Sequence, residues 1–412
     1  MKKKNKAIYL LFLMPFVYFA TACFVVWLVK TSGIYPSGSD TMYHVYRGDY
    51  VYNAIKSGNW YPLYDPAWYN GVEILRYWSP FPAYVMAFCQ YLAGGSQFGA
   101  YLFYIGGVCF LGACVWPFIG RGFNRPYLGA FIGLLWFFMP NNLCAIFIEG
   151  NLARSLSMIF LPVFIYSVYK YLYNHKLRYI PLMVFTFLLM ELCHLGYAGM
   201  VAIAVIIYGI VYMIQKGRKK AVLDVVISMI FGFMLLGIWL VASLRGGITS
   251  LDNSENMANF FQNLWITINP FERLTRGFEY FYFGFATLIV IVFGILFGYK
   301  KSRTGFVTGF IILLMTTKSA YAVLKHLPGS QYLWMLRFIS IALCMILMSF
   351  LMWDRLKKTL VLMLCVLLVV DTIPSLSLIV GEHNDLFRKE WQQDRTVLLF
   401  QVLRQSQSRD LP

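Results

Sequence analysis

Apolar stretches of bilayer-spanning length recur along most of the chain, separated by short polar breaks, and this pattern predicts an all-α integral membrane protein. About eleven transmembrane helices are expected, at residues 7–29, 98–119, 127–148, 156–173, 179–195, 198–215, 221–243, 280–298, 304–323, 335–353 and 359–379. The first run, Ala7 to Val29, follows a lysine-rich start. It is longer than the apolar region of a signal peptide and no small-residue cleavage site follows, so it reads as a retained span. Residues 80–94 are apolar but short, and open with Pro80 and Pro82. A crossing there would reverse every later loop, so an interfacial or re-entrant helix is expected instead.

The charges give this pattern a direction. Of the 412 residues, 59% are hydrophobic and 13% charged, with a net charge of +17. More than half of the 35 lysines and arginines sit in short runs at Lys2–Lys6, Arg121–Arg125, Lys170–Arg178, Lys216–Lys220, Lys300–Arg303 and Arg355–Lys358. Every run falls on one side when the eleven segments alternate, and the positive-inside rule makes that side, with the N-terminus, cytoplasmic. Nearly all acidic residues fall in the other set of loops. A basic protein arranged this way is a membrane protein and not a nucleic-acid binder. The large first extracytoplasmic loop, 30–97, is expected to carry interfacial helices. Residues 1–380 form one polytopic domain, and 381–412 a short extracytoplasmic tail that reads as the start of a further domain. The eight cysteines lie singly in or near apolar stretches and read as packing residues.

Candidate chemistry concentrates in the first loop. Asp40, His44 and Arg47 follow one another at helical spacing, so they can share one face of a helix lying along the membrane. A turn-rich aromatic stretch follows, with Trp60, Tyr61 and Trp68. An acid, a histidine and an arginine beside an aromatic surface suit a lipid-linked anionic substrate: the cation holds phosphate, the acid serves as base or metal ligand, and the rings stack on a sugar. A solvated interfacial loop with aromatic anchors accounts for the same residues. Glu149 and Arg154 make either a second site element or a loop ion pair of little energetic consequence. Glu191, three residues before His194, lies inside an apolar run, where an ionisable group is costly enough to be a functional candidate or a partner for a neighbouring helix. Arg337 opens a span, from which it can bind an anion or snorkel to headgroups. Asp49 and Glu73 read as solvated charges, and Lys318 and Asp371 as residues that snorkel or pair.

The series Asp40-x-x-x-His44, Gly58-x-Trp-Tyr-Pro62, Trp68-x-x-Gly71 and Tyr77-x-x-Pro80 resembles the bacterial multi-spanning membrane proteins labelled "6-pyruvoyl-tetrahydropterin synthase-related". Weaker stretches extend the likeness to about residue 340: Glu149-Gly-Asn-Leu-Ala-Arg154 with Phe160-Leu-Pro162, His194-Leu-Gly, and Trp334-Met-Leu-Arg-Phe338. That group is similar in layout to the C-type glycosyltransferase (GT-C) superfamily, which includes the oligosaccharyltransferase catalytic subunits.

The resemblance implies sugar transfer from a polyprenyl-phosphate donor to a glycan, lipid or protein acceptor, at the outer face of the bacterial cytoplasmic membrane. It implies Asp40 as the essential acid and Glu149 as a second one. Arg154 and Arg337 become phosphate-binding cations, and His44, Arg47, Trp60, Tyr61, Trp68, Glu191 and His194 further substrate contacts. Glu149 stands where metal-dependent members carry paired acids, which leaves a divalent metal open. The label does not imply pterin chemistry, since the five histidines are scattered without metal-ligand spacing. A transporter or flippase for a cell-envelope lipid or polysaccharide, and a scaffold without chemistry of its own, are the alternatives.

Overall fold

The computed structural model describes residues 2–36, 38–68, 71–245, 261, 263–269, 282–327, 330, 333–353 and 356–375. The tail 381–412 and most of the loop at 245–279 lie outside the described residues. Among those described the chain is helical, with one isolated antiparallel bridge, Asp65 to Val72, in the first loop.

Helix α1 (Lys2–Ser32) leads into the first loop, which contains α2 (Thr41–Lys56), the short α3 (Ile74–Tyr77) and α4 (Phe81–Leu92). Val45 and Val51 of α2 face Met86, Ala83 and Ala87 of α4 in the core. Gly48 is required there, because any Cβ would run into the Met86 side chain. The buried Gln90 amide donates to Asp49 Oδ1 at 2.6 Å, so Asp49 is a helix-to-helix tether and not the solvated charge its sequence context suggests. At 12 residues, α4 reaches about 18 Å and is too short to cross a ~30 Å hydrocarbon core alone.

Helix α5 (Gln97–Gly122) packs on α1 and on α6 (Pro126–Leu135). A 3-10 turn, Trp136–Phe138, joins α6 to α7 (Pro140–Phe147), and the pair is bent by 46°. Pro140 explains the break: it disfavours helical backbone at Met139, whose ψ is 131°, and lacks an N–H for the ladder. Next come α8 (Leu152–Asn174), α9 (Tyr179–Cys193), α10 (Leu195–Lys216), α11 (Lys219–Leu235) and α12 (Gly237–Arg245), the last two bent by 67°. The remaining helices are α13 (Leu264–Ile268), α14 (Phe285–Phe297), α15 (Lys300–Met315), α16 (Lys318–Leu324), α17 (Phe338–Met352) and α18 (Lys358–Val370). Helices α8 and α17 are apolar almost all round and form the buried centre, as expected of helices surrounded by others.

All eleven predicted segments contain helix, but fewer qualify as crossings. Six helices are long and apolar enough to span a bilayer, or up to eight if each bent pair counts as one span. The shortfall has local causes. His194 adopts extended backbone (φ −156°, ψ 94°) and stops α9 after 15 residues. Gly284, at φ +118°, starts α14 late, leaving 13 residues.

The helix junctions form two groups, each linked by its own contacts. At one end, Lys170 Nζ donates to the Gly122 carbonyl at 2.5 Å and Tyr212 to the Leu172 carbonyl at 2.6 Å. Tyr171 donates to Asp224 at 2.5 Å and Thr304 to Gln215 at 2.7 Å. This end carries four of the basic runs. The opposite end gathers the junctions before α2, α8, α10 and α17, and holds the candidate site.

Candidate functional site

Two glycine-containing turns build the floor of the site. The Ser39 and Asp40 amides donate to the Ile148 and Glu149 carbonyls at 3.3 and 3.0 Å, and Ser39 Oγ donates to the Glu149 carbonyl at 3.0 Å. Backbones come this close because Gly38 and Gly150 oppose one another: a Cβ on Gly38 would lie 2.7 Å from Gly150 Cα. Gly150 also has φ +64°, where a side chain is strained whatever the space. The sequence elements around Asp40 and Glu149 thereby become one surface.

Glu149 is 7% exposed and lies between two arginines. Arg154 Nη1 is 3.0 Å from Oε2, while Arg337 approaches Oε1 with Nε at 2.7 Å and Nη2 at 2.5 Å. Burial alone would raise the Glu149 carboxyl, but the two guanidinia outweigh it and hold it below its ordinary value. This is a buried ion triad, not a loop pair, and removal of Glu149 would leave two guanidinia uncompensated. Arg154 is fully buried and donates Nη2 to the Asn141 carbonyl at 3.3 Å, while its Nε has no hydrogen-bond partner among the described residues. Arg337 lies nearer the surface, at 8% exposure, over the Trp334 ring at 4.6 Å.

The polar residues around this triad open helices. Asn151 caps α8, accepting from the Arg154 N–H at 2.9 Å through Oδ1. His194 caps α10, accepting from the Tyr197 N–H at 3.1 Å through Nδ1. Its Nε2 lies 3.3 Å from Asn151 Nδ2 and 3.4 Å from Arg337 Nη1. Burial, with help from Arg337, pulls the His194 ring down to about 3, so it is neutral at physiological pH. Asp40 occupies the N-cap position of α2, yet its carboxylate makes no capping bond, and Ser39 Oγ lies 3.5 Å from its Oδ1. Burial raises the Asp40 carboxyl and Glu149 raises it further, against Arg337, Arg47 and Ser39. His44, on the next turn, is held well below its usual value by burial and by Arg47, His194 and Arg337.

Arg47 points its guanidinium over Trp78 at 4.1 Å and Trp68 at 5.9 Å, and Tyr43 and Tyr46 flank Trp68. Burial pulls Arg47 down to about 10, against Asp40 and Tyr43, and still leaves it charged at neutral pH. Asp65 orders this aromatic stretch by accepting from Tyr46 at 2.6 Å and from the Ala67 N–H at 3.0 Å.

The structure therefore brings Asp40, His44, Arg47, Glu149, Arg154, His194 and Arg337 into one electrostatic neighbourhood, with Trp68 beside it. Trp60 and Tyr61 are not part of it. They are exposed beyond the far end of α2, roughly 24 Å of helix from Asp40. Glu191 is buried one turn before His194, where its carbonyl accepts from Ser79 at 2.9 Å and its Oε2 has no partner. Asn151 and Trp78 were not singled out from sequence. An asparagine directly before an apolar run is the capping signal that points to the first of them. Asp371 is a structural acid: Oδ1 accepts from the Ala286 N–H at 3.0 Å, and Oδ2 from the Thr287 N–H and hydroxyl, each at 2.7 Å, which caps α14.

The donor set does not fit a divalent cation. Both Glu149 oxygens face guanidinia, and among the described residues no three His, Cys, Asp or Glu side chains gather as ligands.

Long apolar helices around a buried charge cluster define an all-helical membrane protein with a polar site at one end of its bundle. A family model described as 6-pyruvoyl-tetrahydropterin synthase related domain, a membrane protein, matches residues 75–379, and the chain belongs to that family. The match starts after Asp40, His44 and Arg47 and includes Glu149, Arg154, His194 and Arg337. No curated protein and no solved structure matches the chain.

Proposed function

We propose that the chain is a glycosyltransferase of the C-type class that takes a sugar from a polyprenyl-phosphate donor at the outer face of the bacterial cytoplasmic membrane. The observation that carries this reading is Asp40: an acid at a helix start whose carboxylate is left unused by capping, beside a charge cluster with excess positive charge. Glu149, Arg154 and Arg337 sum to one positive charge, while Arg47 and Asp40 balance each other. A raised carboxyl suits a general base, and the excess charge suits a phosphate leaving group.

In this mechanism Asp40 takes the proton of the acceptor hydroxyl as its oxygen attacks the anomeric carbon. The bond from that carbon to the phosphate oxygen breaks, and polyprenyl phosphate leaves carrying the negative charge. Arg337, the more accessible arginine, faces that charge. Arg154 holds Glu149 and through it the orientation of Arg337. Trp68, Trp78 and Arg47 offer a face for a sugar ring. Counting both bent pairs, α9, α14 and α15 as crossings gives eleven spans with a cytoplasmic N-terminus, and puts the site on the outer side.

The test is release of polyprenyl phosphate by the purified protein in nanodiscs, from a panel of polyprenyl-phosphate sugars with cell-envelope extract as acceptor. Release by wild type that is lost in Asp40→Asn supports the proposal. Unaltered transfer by folded Asp40→Asn sinks it.

The two bent helix pairs favour a second reading, since broken helices are frequent in transporters. Movement of a labelled glycolipid across vesicles without covalent change would establish it.

A further inference from the structure

The polar atoms around His194 do not satisfy one another. Its Nδ1 accepts from the Tyr197 N–H, so the hydrogen-bond network assigns the ring proton to Nε2. Asn151 is likewise oriented: Oδ1 accepts from the Arg154 N–H, which turns Nδ2 outward. Nε2–H therefore faces Asn151 Nδ2 at 3.3 Å and Arg337 Nη1 at 3.4 Å, and all three are donors. Arg337 has already given Nε and Nη2 to Glu149, leaving Nη1 for this gap. Among the described residues these three donors meet without an acceptor, and Asn151 and Arg337 are more than nine-tenths buried.

The backbone points the same way. Asn151, His194 and Arg337 occupy the N-cap positions of α8, α10 and α17. Each helix N-terminus carries roughly half a positive charge, and three converge here. Glu149 answers only part of this arrangement, since it takes Nε and Nη2 of Arg337 and leaves the triad one positive charge in excess; one further oxyanion would close both the hydrogen bonds and the charge.

We infer that Asn151 Nδ2, His194 Nε2 and Arg337 Nη1 form a seat for a single phosphate oxyanion. Asn151 and neutral His194 are positioned as direct ligands, and Arg154 is excluded from that role by its burial beneath Glu149. The inference rests on the reading of this pocket as a phosphate site, but does not need the sugar-transfer step.

The test is affinity of the full-length protein in nanodiscs for farnesyl phosphate, farnesol and inorganic phosphate, by calorimetry. Asn151→Asp is the main variant. Aspartate keeps the cap on α8 and places its second carboxylate oxygen in the seat, occupying it from within. Farnesyl phosphate should bind wild type more tightly than farnesol, and Asn151→Asp should weaken it at least about tenfold while leaving farnesol unchanged. His194→Asn, which keeps a capping residue and removes Nε2–H, should weaken it in the same direction and carries the test if Asn151→Asp fails to fold. Farnesyl phosphate binding above inorganic phosphate assigns the anion to a lipid; equal binding assigns it to a soluble phosphate, with the seat unchanged. Wild-type affinity in a folded Asn151→Asp protein, or equal binding of farnesyl phosphate and farnesol by wild type, overturns the seat. Wild type that binds farnesyl phosphate but releases no product from any donor refutes the transferase and leaves the seat standing.

Discussion

The backbone N–H of Asp40 donates to the carbonyl of Glu149 at 3.0 Å, so two acids from separate loops are held by their main chains and not by their carboxylates. That leaves each carboxylate to its own surroundings: Glu149 between two arginines, Asp40 beside the Ser39 hydroxyl at 3.5 Å. The division of labour argued above, one acid structural and one reactive, depends on this link.

Gly150→Ala tests the link itself. The residue sits at φ +64°, and a Cβ would lie 2.6 Å from the Thr41 amide nitrogen. Strain and overlap together should cost about 1–3 kcal/mol, read as a lowered midpoint of thermal unfolding in detergent. Transfer activity should fall further than stability, because the displaced turn carries both acids. A variant as stable and as active as wild type would show that the two turns are not coupled.

Glu149 is the member of the triad whose loss should cost most. Glu149→Gln leaves two buried guanidinia facing each other and should destabilise by about 3–5 kcal/mol. Arg154→Met leaves a balanced Glu149–Arg337 pair and should cost less. The double variant should recover part of the Glu149→Gln loss, since one unpaired guanidinium then remains in place of two. Unfolding midpoints of the four proteins form a double-mutant cycle, and strict additivity would contradict the triad.

His194 gives the fold a pH dependence with a definite sign. Its folded value of about 3 lies below the ordinary value of about 6.5, so the folded state binds fewer protons than the unfolded one. The stability this supplies is complete above about pH 6.5 and is lost progressively as the pH falls towards 3. His44 is depressed as well and acts in the same direction. Between pH 7.5 and 5 the unfolding midpoint of wild type should drop more than that of His194→Asn, with a double variant at His44 flatter still. Parallel profiles would remove His194 from the account.

The helix positions were readable from the apolar pattern because each segment had to bury or solvate its backbone as helix. The break at Pro140 was not, since it interrupts a run, 127–148, whose composition looks continuous. Charge segregation pointed to the end of the bundle that carries Asp40, Glu149 and Arg337. What could not be read was which partner each charge takes. Arg154 and Arg337 look alike at their helix starts, and only packing buries the first and leaves the second near the surface. Likewise, Trp60 and Trp68 occur in the same aromatic stretch, but the Asp65 turn folds only Trp68 back onto Arg47. Asn151 resembles any loop asparagine until its cap fixes which atom of the amide faces His194.

Asp371 provides the contrast that separates a costly buried acid from a reactive one. Its two oxygens accept from two amides and a hydroxyl at the start of α14, with Tyr282 donating at 3.1 Å, so every bond it makes serves the helix end. Asp371→Ala removes all of these and should lower the unfolding midpoint by the equivalent of about 1–2 kcal/mol, the usual worth of a lost cap. Asp371→Asn keeps one acceptor oxygen and should lose less. In both variants transfer per folded molecule should stay at the wild-type level, whereas Asp40→Asn should keep its stability and lose transfer. If Asp371→Asn instead abolished transfer at unchanged stability, the reactive acid would be Asp371, at the C-terminal end of α18, and not Asp40.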